Sequence, residues 1–114
     1  RAAVVNAPVT NLQSHGGTSD TGYYVTPYAA GAELHAACGT FQPASPVAHV
    51  PRGHTATLLL QGQDDQRCPP GQAEELFTAL VRAGCDDARM VLYPGASHTF
   101  PGSGKLTQRV DYHQ

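Results

Sequence analysis

Ala56-Thr57-Leu58-Leu59-Leu60-Gln61-Gly62-Gln63-Asp64-Asp65-Gln66-Arg67-Cys68-Pro69-Pro70 is the stretch that decides the fold. Ala56 to Leu60 is an apolar run with a β-branched flank, the pattern of a strand covered on both faces. A polar loop with two carboxylates follows. Pro70 suits the first turn of a helix, where its missing N–H costs nothing. Ala73, Leu76, Phe77, Leu80 and Val81 then recur at helical spacing and form an amphipathic stripe. Gly84 stands where a left-handed cap ends such a helix. Met90-Val91-Leu92-Tyr93 reads as the next strand, stopped by Pro94-Gly95. Strand, helix and strand in this order make a βαβ unit with parallel strands.

Outward from this unit, Ala2-Ala3-Val4-Val5 reads as a third short strand, ended by Asn6-Ala7-Pro8. From Val9 to Pro51 the chain is rich in Gly, Thr, Ser, Pro and Tyr, and its periodicity is weak. The reading there is a long loop region, with short helical pieces at Pro27 to Leu34 and Pro46 to Val50. Such regions often serve as lids or pocket walls. Val110 to Gln114 reads as the start of a helix. Three strands and one strong helix do not cover both faces of a parallel sheet. The expectation is an α/β chain that is incomplete on its own, with further strands in another piece of the same protein. A small α/β domain that closes itself or dimerises is the alternative.

Composition narrows the function classes. The 114 residues suffice for one small domain, and 40% hydrophobic against 14% charged residues excludes a disordered chain or a coiled coil. A formal charge of −2 gives no support to nucleic acid or an anionic membrane surface as partner. No apolar run approaches the roughly 20 residues of a membrane helix. Arg1-Ala2-Ala3-Val4-Val5 lacks the apolar core of a signal peptide, and its start inside a strand-like run suggests a piece of a longer chain. Cys38, Cys68 and Cys85 form an odd set without C-x-x-C spacing, so reduced thiols in a cytoplasmic compartment are expected. Cys68 has no base paired with it in sequence and reads as a packing residue.

In open parallel sheets reactive groups gather beyond the carboxyl ends of the strands. Asp65 lies five residues past Leu60 and His98 five past Tyr93, so adjacent strands bring both to one rim. A buried carboxylate there bonds one imidazole nitrogen, and the other nitrogen deprotonates a serine. Carboxylate first and histidine second is also the order in which an α/β-hydrolase supplies the last two members of a Ser-Asp-His triad. Taken singly, an Asp-Asp pair is usually a solvated turn and a Ser-His pair is ordinary. The combination with two strand ends and the intervening helix is what carries the argument. No nucleophile elbow accompanies it: Gly16-Gly17-Thr18-Ser19-Asp20 lacks the second glycine, so Ser19 is no substitute. His15, His35, His49, His54 and His113 form no H-x-x-x-H or H-E-x-x-H pair and read as loop histidines, without metal or cofactor. Tyr23, Tyr24, Tyr28 and Phe41 either line an apolar pocket or pack the loop region onto the sheet. Glu33 reads as a solvated surface carboxylate.

Leu58 to Pro69 resembles the acid loop of the prolyl oligopeptidase family of serine peptidases, particularly its acylaminoacyl-peptidase branch. There a hydrophobic strand leads into Gly-x-x-Asp-x-x-Cys/Val-Pro. That register implies Asp65, rather than Asp64, as the catalytic acid. Gln61 replaces the His common before the Gly. Leu92-Tyr93-Pro94-Gly95-Ala96-Ser97-His98-Thr99-Phe100 is similar to the family's histidine loop and implies His98 as general base. Val4 to Asn11 resembles the strand and loop that follow the nucleophile helix, and Gly22-Tyr23-Tyr24 has a weaker likeness. The resemblance implies the C-terminal part of an α/β-hydrolase peptidase domain over residues 1–114. The serine elbow and any N-terminal β-propeller would lie upstream or on a companion chain. It further implies hydrolysis of short peptides or N-blocked aminoacyl substrates, and it implies for Arg67 a role in holding a substrate carbonyl. The plainer reading of Arg67 is a salt bridge with Asp64. A carboxylesterase or lipase of the same fold, and a non-catalytic interaction domain, are the alternatives.

Overall fold

The apolar run around Leu59 forms the middle strand of a parallel sheet in the computed structural model, which describes residues 1–31, 39, 41–50 and 55–114. The sheet has three strands in the order β1-β2-β3: Ala2–Asn6, Ala56–Gly62 and Ala88–Tyr93. Both pairings are parallel, with Val4 opposite Leu58, and Leu60 opposite Val91. Helix α4, Pro70–Arg82, joins β2 to β3 as the crossover, and Gly84 follows it with φ of +85°. A positive φ there suits glycine alone at no steric cost, which fixes where the helix stops.

Residues of β2 alternate between two layers. Leu60 packs with Tyr93, Ala96 and Phe100, and Leu58 and Tyr112 pack against that cluster. This layer is closed by α5, Phe100–Ser103, and α6, Leu106–Tyr112. Phe100 stands between two aromatic rings, Tyr93 at 4.6 Å and Tyr112 at 5.4 Å between centroids. The Tyr93 hydroxyl donates to the Asp111 carboxylate at 2.9 Å. Burial, reinforced by that carboxylate, pushes the Tyr93 phenol up to about 12. Leu59, on the opposite layer, is wholly buried, as is Ala73 of α4. The stripe of α4 is covered to different degrees: Leu76, Phe77 and Leu80 are half-buried and Val81 is exposed.

The region after β1 departs from the loop reading. It holds α1, Leu12–Thr18, α2, Gly22–Ala30, and α3, Phe41–Ala44, followed by a 3₁₀ turn at Pro46–His49. Helix α1 starts because the Asn11 side chain caps it, accepting from the N–H groups of Gln13 and Ser14. Its remaining support is tertiary. Buried Gln72, on α4, accepts from the Thr10 and Asn11 N–H groups at 3.0 and 2.9 Å and donates to Ser14 Oγ at 2.8 Å. Helix α2 begins well before the expected Pro27 and carries that proline inside it. The expected stretch to Leu34 runs beyond the described residues, as do Glu33, His35, Cys38 and His54. The last helix begins at Leu106 rather than Val110.

β1 and β3 are the two edges of the sheet. Val4 is 68% exposed on β1, and Val91 and Leu92 are partly open on β3, and among the described residues no further strand pairs with either edge. Leu59→Ala should cost about 2–5 kcal/mol in urea unfolding, because a fully buried Leu leaves a cavity. Val4→Thr should stay within about 0.5 kcal/mol, as an exposed site does.

Candidate active site

Parallel pairing of β2 with β3 makes both strands end on the same rim, and one glycine lets their loops touch. A Cβ at Gly62 would lie 2.5 Å from the Ala96 carbonyl oxygen and 2.9 Å from that of Ser97. No larger residue fits. The Asp64 N–H donates to the Ala96 carbonyl at 2.9 Å and the Gln63 N–H to that of Tyr93 at 3.0 Å, stitching the two loops together.

Above this junction, Asp65 and His98 meet. Asp65 is 1% exposed. Its Oδ1 accepts from the backbone N–H groups of Arg67 at 2.9 Å and Cys68 at 2.8 Å. Its Oδ2 faces His98 Nδ1 at 2.9 Å. The carboxylate is thus held by two donors on one oxygen and spends the other on the imidazole. A carboxylate accepts only, so neutral His98 carries its proton on Nδ1. That leaves the Nε2 lone pair pointing out of a ring that is 41% exposed. A fixed tautomer with an open second nitrogen is the arrangement a general base needs.

His98, Arg67, Asp20, Asp64, Ser97 and Thr99 line a cavity of about 230 Å³. Arg67 does not pair with Asp64. It binds Asp20 with two bonds, Nε at 2.7 Å and Nη2 at 3.3 Å, and the pair holds the Asp20 carboxyl below the usual carboxylate range. Both partners are about half exposed, so the ion pair adds little stability; its effect is to fix where the guanidinium stands. The rest of the acid loop is pinned by α1 and the turn after it. Ser19 Oγ donates to the Arg67 carbonyl at 2.7 Å, His15 Nε2 reaches the same oxygen at 3.1 Å, and the Asp20 N–H bonds the Gln66 carbonyl at 2.9 Å. A carbonyl accepts only, so His15 bears its proton on Nε2 and accepts a hydrogen bond from the Thr26 hydroxyl at Nδ1, 2.9 Å away.

His15 is therefore no loop histidine but a buried helical one, because the tertiary bonds of α1 give both its nitrogens partners. His49 bonds the Pro43 carbonyl, and His113 caps α6. Among the described residues no three His, Cys, Asp or Glu side chains converge as metal ligands. The aromatic cluster divides: Phe41 is fully buried, while Tyr23, Tyr24 and Tyr28 stand exposed on α2. Larger clefts lie away from His98: one of about 610 Å³ against α4 and Val47, one of about 540 Å³ between the start of α1, α3 and the 3₁₀ turn, and one of about 330 Å³ on α6. Asp20, His15 and Gln72 are the contributors that the sequence reading missed. Their partners lie 47 to 62 residues away, so no local spacing signals them.

The profile of the prolyl oligopeptidase family matches residues 1–114, the whole chain. The chain belongs to the prolyl oligopeptidase family. It is 34% identical over 110 residues to the uncharacterized peptidase YuxL of Bacillus subtilis, covering 96% of this chain and 17% of that protein. It is 30% identical over 105 residues to the human acylamino-acid-releasing enzyme, covering 86% of this chain and 14% of the enzyme. The chain thus spans about a sixth of the length of the family relatives it matches. The acylaminoacyl peptidase of Pyrococcus horikoshii superposes with a TM-score of 0.90 at 17% identity, over 98% of this chain and 18% of that one. The fold is therefore that of the α/β-hydrolase peptidases, represented here by three parallel strands and their flanking helices.

Within this family member, Cys68 is a packing thiol. Burial first, and the Asp65 carboxylate second, push it up to about 11. A thiol raised from 9.0 to about 11 favours the folded state fully below the unfolded value, and that contribution is lost as pH rises between the two. Stability from urea unfolding should therefore decline from pH 9 to 11 more steeply in the wild type than in Cys68→Ser. Equal slopes would place the thiol in a solvated setting.

Proposed function

We propose that this chain supplies the acid, Asp65, and the general base, His98, of a Ser-Asp-His triad in a serine peptidase that acts on short peptides or N-blocked aminoacyl substrates. The nucleophilic serine and the oxyanion donors come from another part of the protein or from a companion chain, seated where the open β1 edge can continue the sheet. The observation that carries this reading is the 2.9 Å bond between His98 Nδ1 and a buried, doubly anchored Asp65. Membership of the prolyl oligopeptidase family supports it. The relatives named as an acylamino-acid-releasing enzyme and an acylaminoacyl peptidase support the substrate class.

The chemistry follows from the tautomer. His98 Nε2 takes the serine proton as the serine oxygen bonds the substrate carbonyl carbon. The imidazolium formed is stabilised by the Asp65 charge across Nδ1. His98 then returns the proton to the leaving amine as the carbon–nitrogen bond breaks, and an acyl-serine remains. A water molecule repeats the sequence: His98 takes its proton, its oxygen bonds the acyl carbon, and the serine leaves with that proton. Arg67 has donors beyond the two that bind Asp20, and it lines the cavity where a substrate carbonyl would lie. Asp20 limits how far the guanidinium can swing.

The test is hydrolysis of an N-acetylated aminoacyl anilide by the protein assembled with its serine-bearing part. Asp65→Asn should lower kcat on the order of 10⁴-fold, because an amide in place of the carboxylate admits the wrong tautomer. His98→Ala should reduce turnover at least as far. Unchanged hydrolysis in both variants would make this a non-catalytic domain. Cleavage of p-nitrophenyl esters without cleavage of the anilide would make it an esterase.

A further inference from the structure

Gln61 is fully buried at the carboxyl end of β2. Its Nε2 donates to two carbonyls, those of Gly62 and Cys68, each at 3.0 Å. Among the described residues its Oε1 has no hydrogen-bond partner. The amide cannot be turned around to relieve this, because the oxygen would then face two carbonyl oxygens. A buried, unpaired carbonyl is costly, because it gives up its bond to water with nothing in return. An expensive group at this position needs an explanation from what its nitrogen holds.

The two carbonyls it holds bracket the acid loop. Gly62 is where the loop leaves the sheet, and Cys68 is where it turns toward α4. Between them the Asp65 N–H bonds back to the Gly62 carbonyl at 3.3 Å, and the Arg67 and Cys68 N–H groups aim at Asp65 Oδ1. The Cys68 peptide is thus held on one side by Gln61 and on the other by the Asp65 carboxylate. Gln61 makes no side-chain hydrogen bond to Asp65 or His98, yet it closes the loop from which Asp65 takes its orientation.

We propose that Gln61 is a positioning residue: its amide ties the two ends of the acid loop so that the Arg67 and Cys68 N–H groups hold the Asp65 carboxylate toward His98. This rests on the reading of Asp65 and His98 as acid and base. Gln61→Met keeps the length and removes both donors. It also removes the unpaired oxygen while leaving the Cys68 carbonyl without its donor. One unsatisfied group replaces another, and the melting temperature should change little.

Two readouts test this in the full protein. Amide hydrogen exchange should speed up about tenfold or more at Arg67 and Cys68 in Gln61→Met, while the amides inside α4 keep their protection. Hydrolysis should lose kcat by roughly ten- to a hundred-fold with KM unchanged, and Gln61→His, which restores a donor, should recover most of it. Wild-type exchange at Arg67 and Cys68, or a general loss of protection with a collapsed melting temperature, would overturn the assignment. So would wild-type kcat in Gln61→Met. Asp65→Asn is assayed beside it: if that variant is fully active, the acid–base reading fails, whereas activity loss in Asp65→Asn but not in Gln61→Met removes Gln61 alone.

Discussion

The close approach of Gly62 to the Ala96 and Ser97 carbonyls is the constraint on which the site depends. Parallel pairing sends β2 and β3 out of the sheet at the same rim, but adjacent strands ordinarily diverge into separate loops. Here the missing side chain at Gly62 lets one backbone lie against the other, and the Asp64 and Gln63 N–H groups lock the contact. Asp65 and His98, 33 residues apart in sequence, then meet. The aromatic layer of Tyr93, Phe100 and Tyr112 backs the histidine loop, and the Asp111 bond to Tyr93 ties α6 beneath it.

The acid loop is supported from several sides. Gln61 closes it from within the sheet, His15 and Ser19 hold the Arg67 carbonyl, and Asp20 takes the Arg67 side chain. Such investment suits a carboxylate whose direction matters. The energetic weight of the outer pieces is small, since the Arg67–Asp20 pair is half exposed. Their contribution is geometric: they remove the freedom of a loop that would otherwise follow solvent. The helices α1 and α2 therefore belong to the site, although they carry no residue of the acid–base pair.

The sheet, α4 and the positions of Asp65 and His98 were legible because each rests on a local pattern. Apolar runs mark the strands, a helical stripe marks α4, and punctuation by Pro94-Gly95 and Gly84 marks the ends. Helix α1 was not legible. It contains Gly16 and Gly17, poor helix formers, and it is held by Gln72 and Glu75 across more than half of the chain. The partner of Arg67 was misread for a related reason. Asp64 is nearer in sequence, but its backbone is committed to Ala96, while Asp20 arrives through the fold of α1. Gln61 illustrates a third case. In sequence it is a departure from the acid-loop pattern with no role attached, and only its two carbonyl contacts and an oxygen unpaired among the described residues give it meaning.

The account stands on one proton. Asp65 must hold it on His98 Nδ1, so that Nε2 is the free base. Nitrogen-resolved NMR of the imidazole observes this directly. The predicted result for the neutral ring is a strongly downfield, slowly exchanging Nδ1–H that disappears in Asp65→Asn, with Nε2 unprotonated. A neutral ring protonated on Nε2, or an Nδ1–H unaffected by Asp65→Asn, would contradict the assignment of the pair.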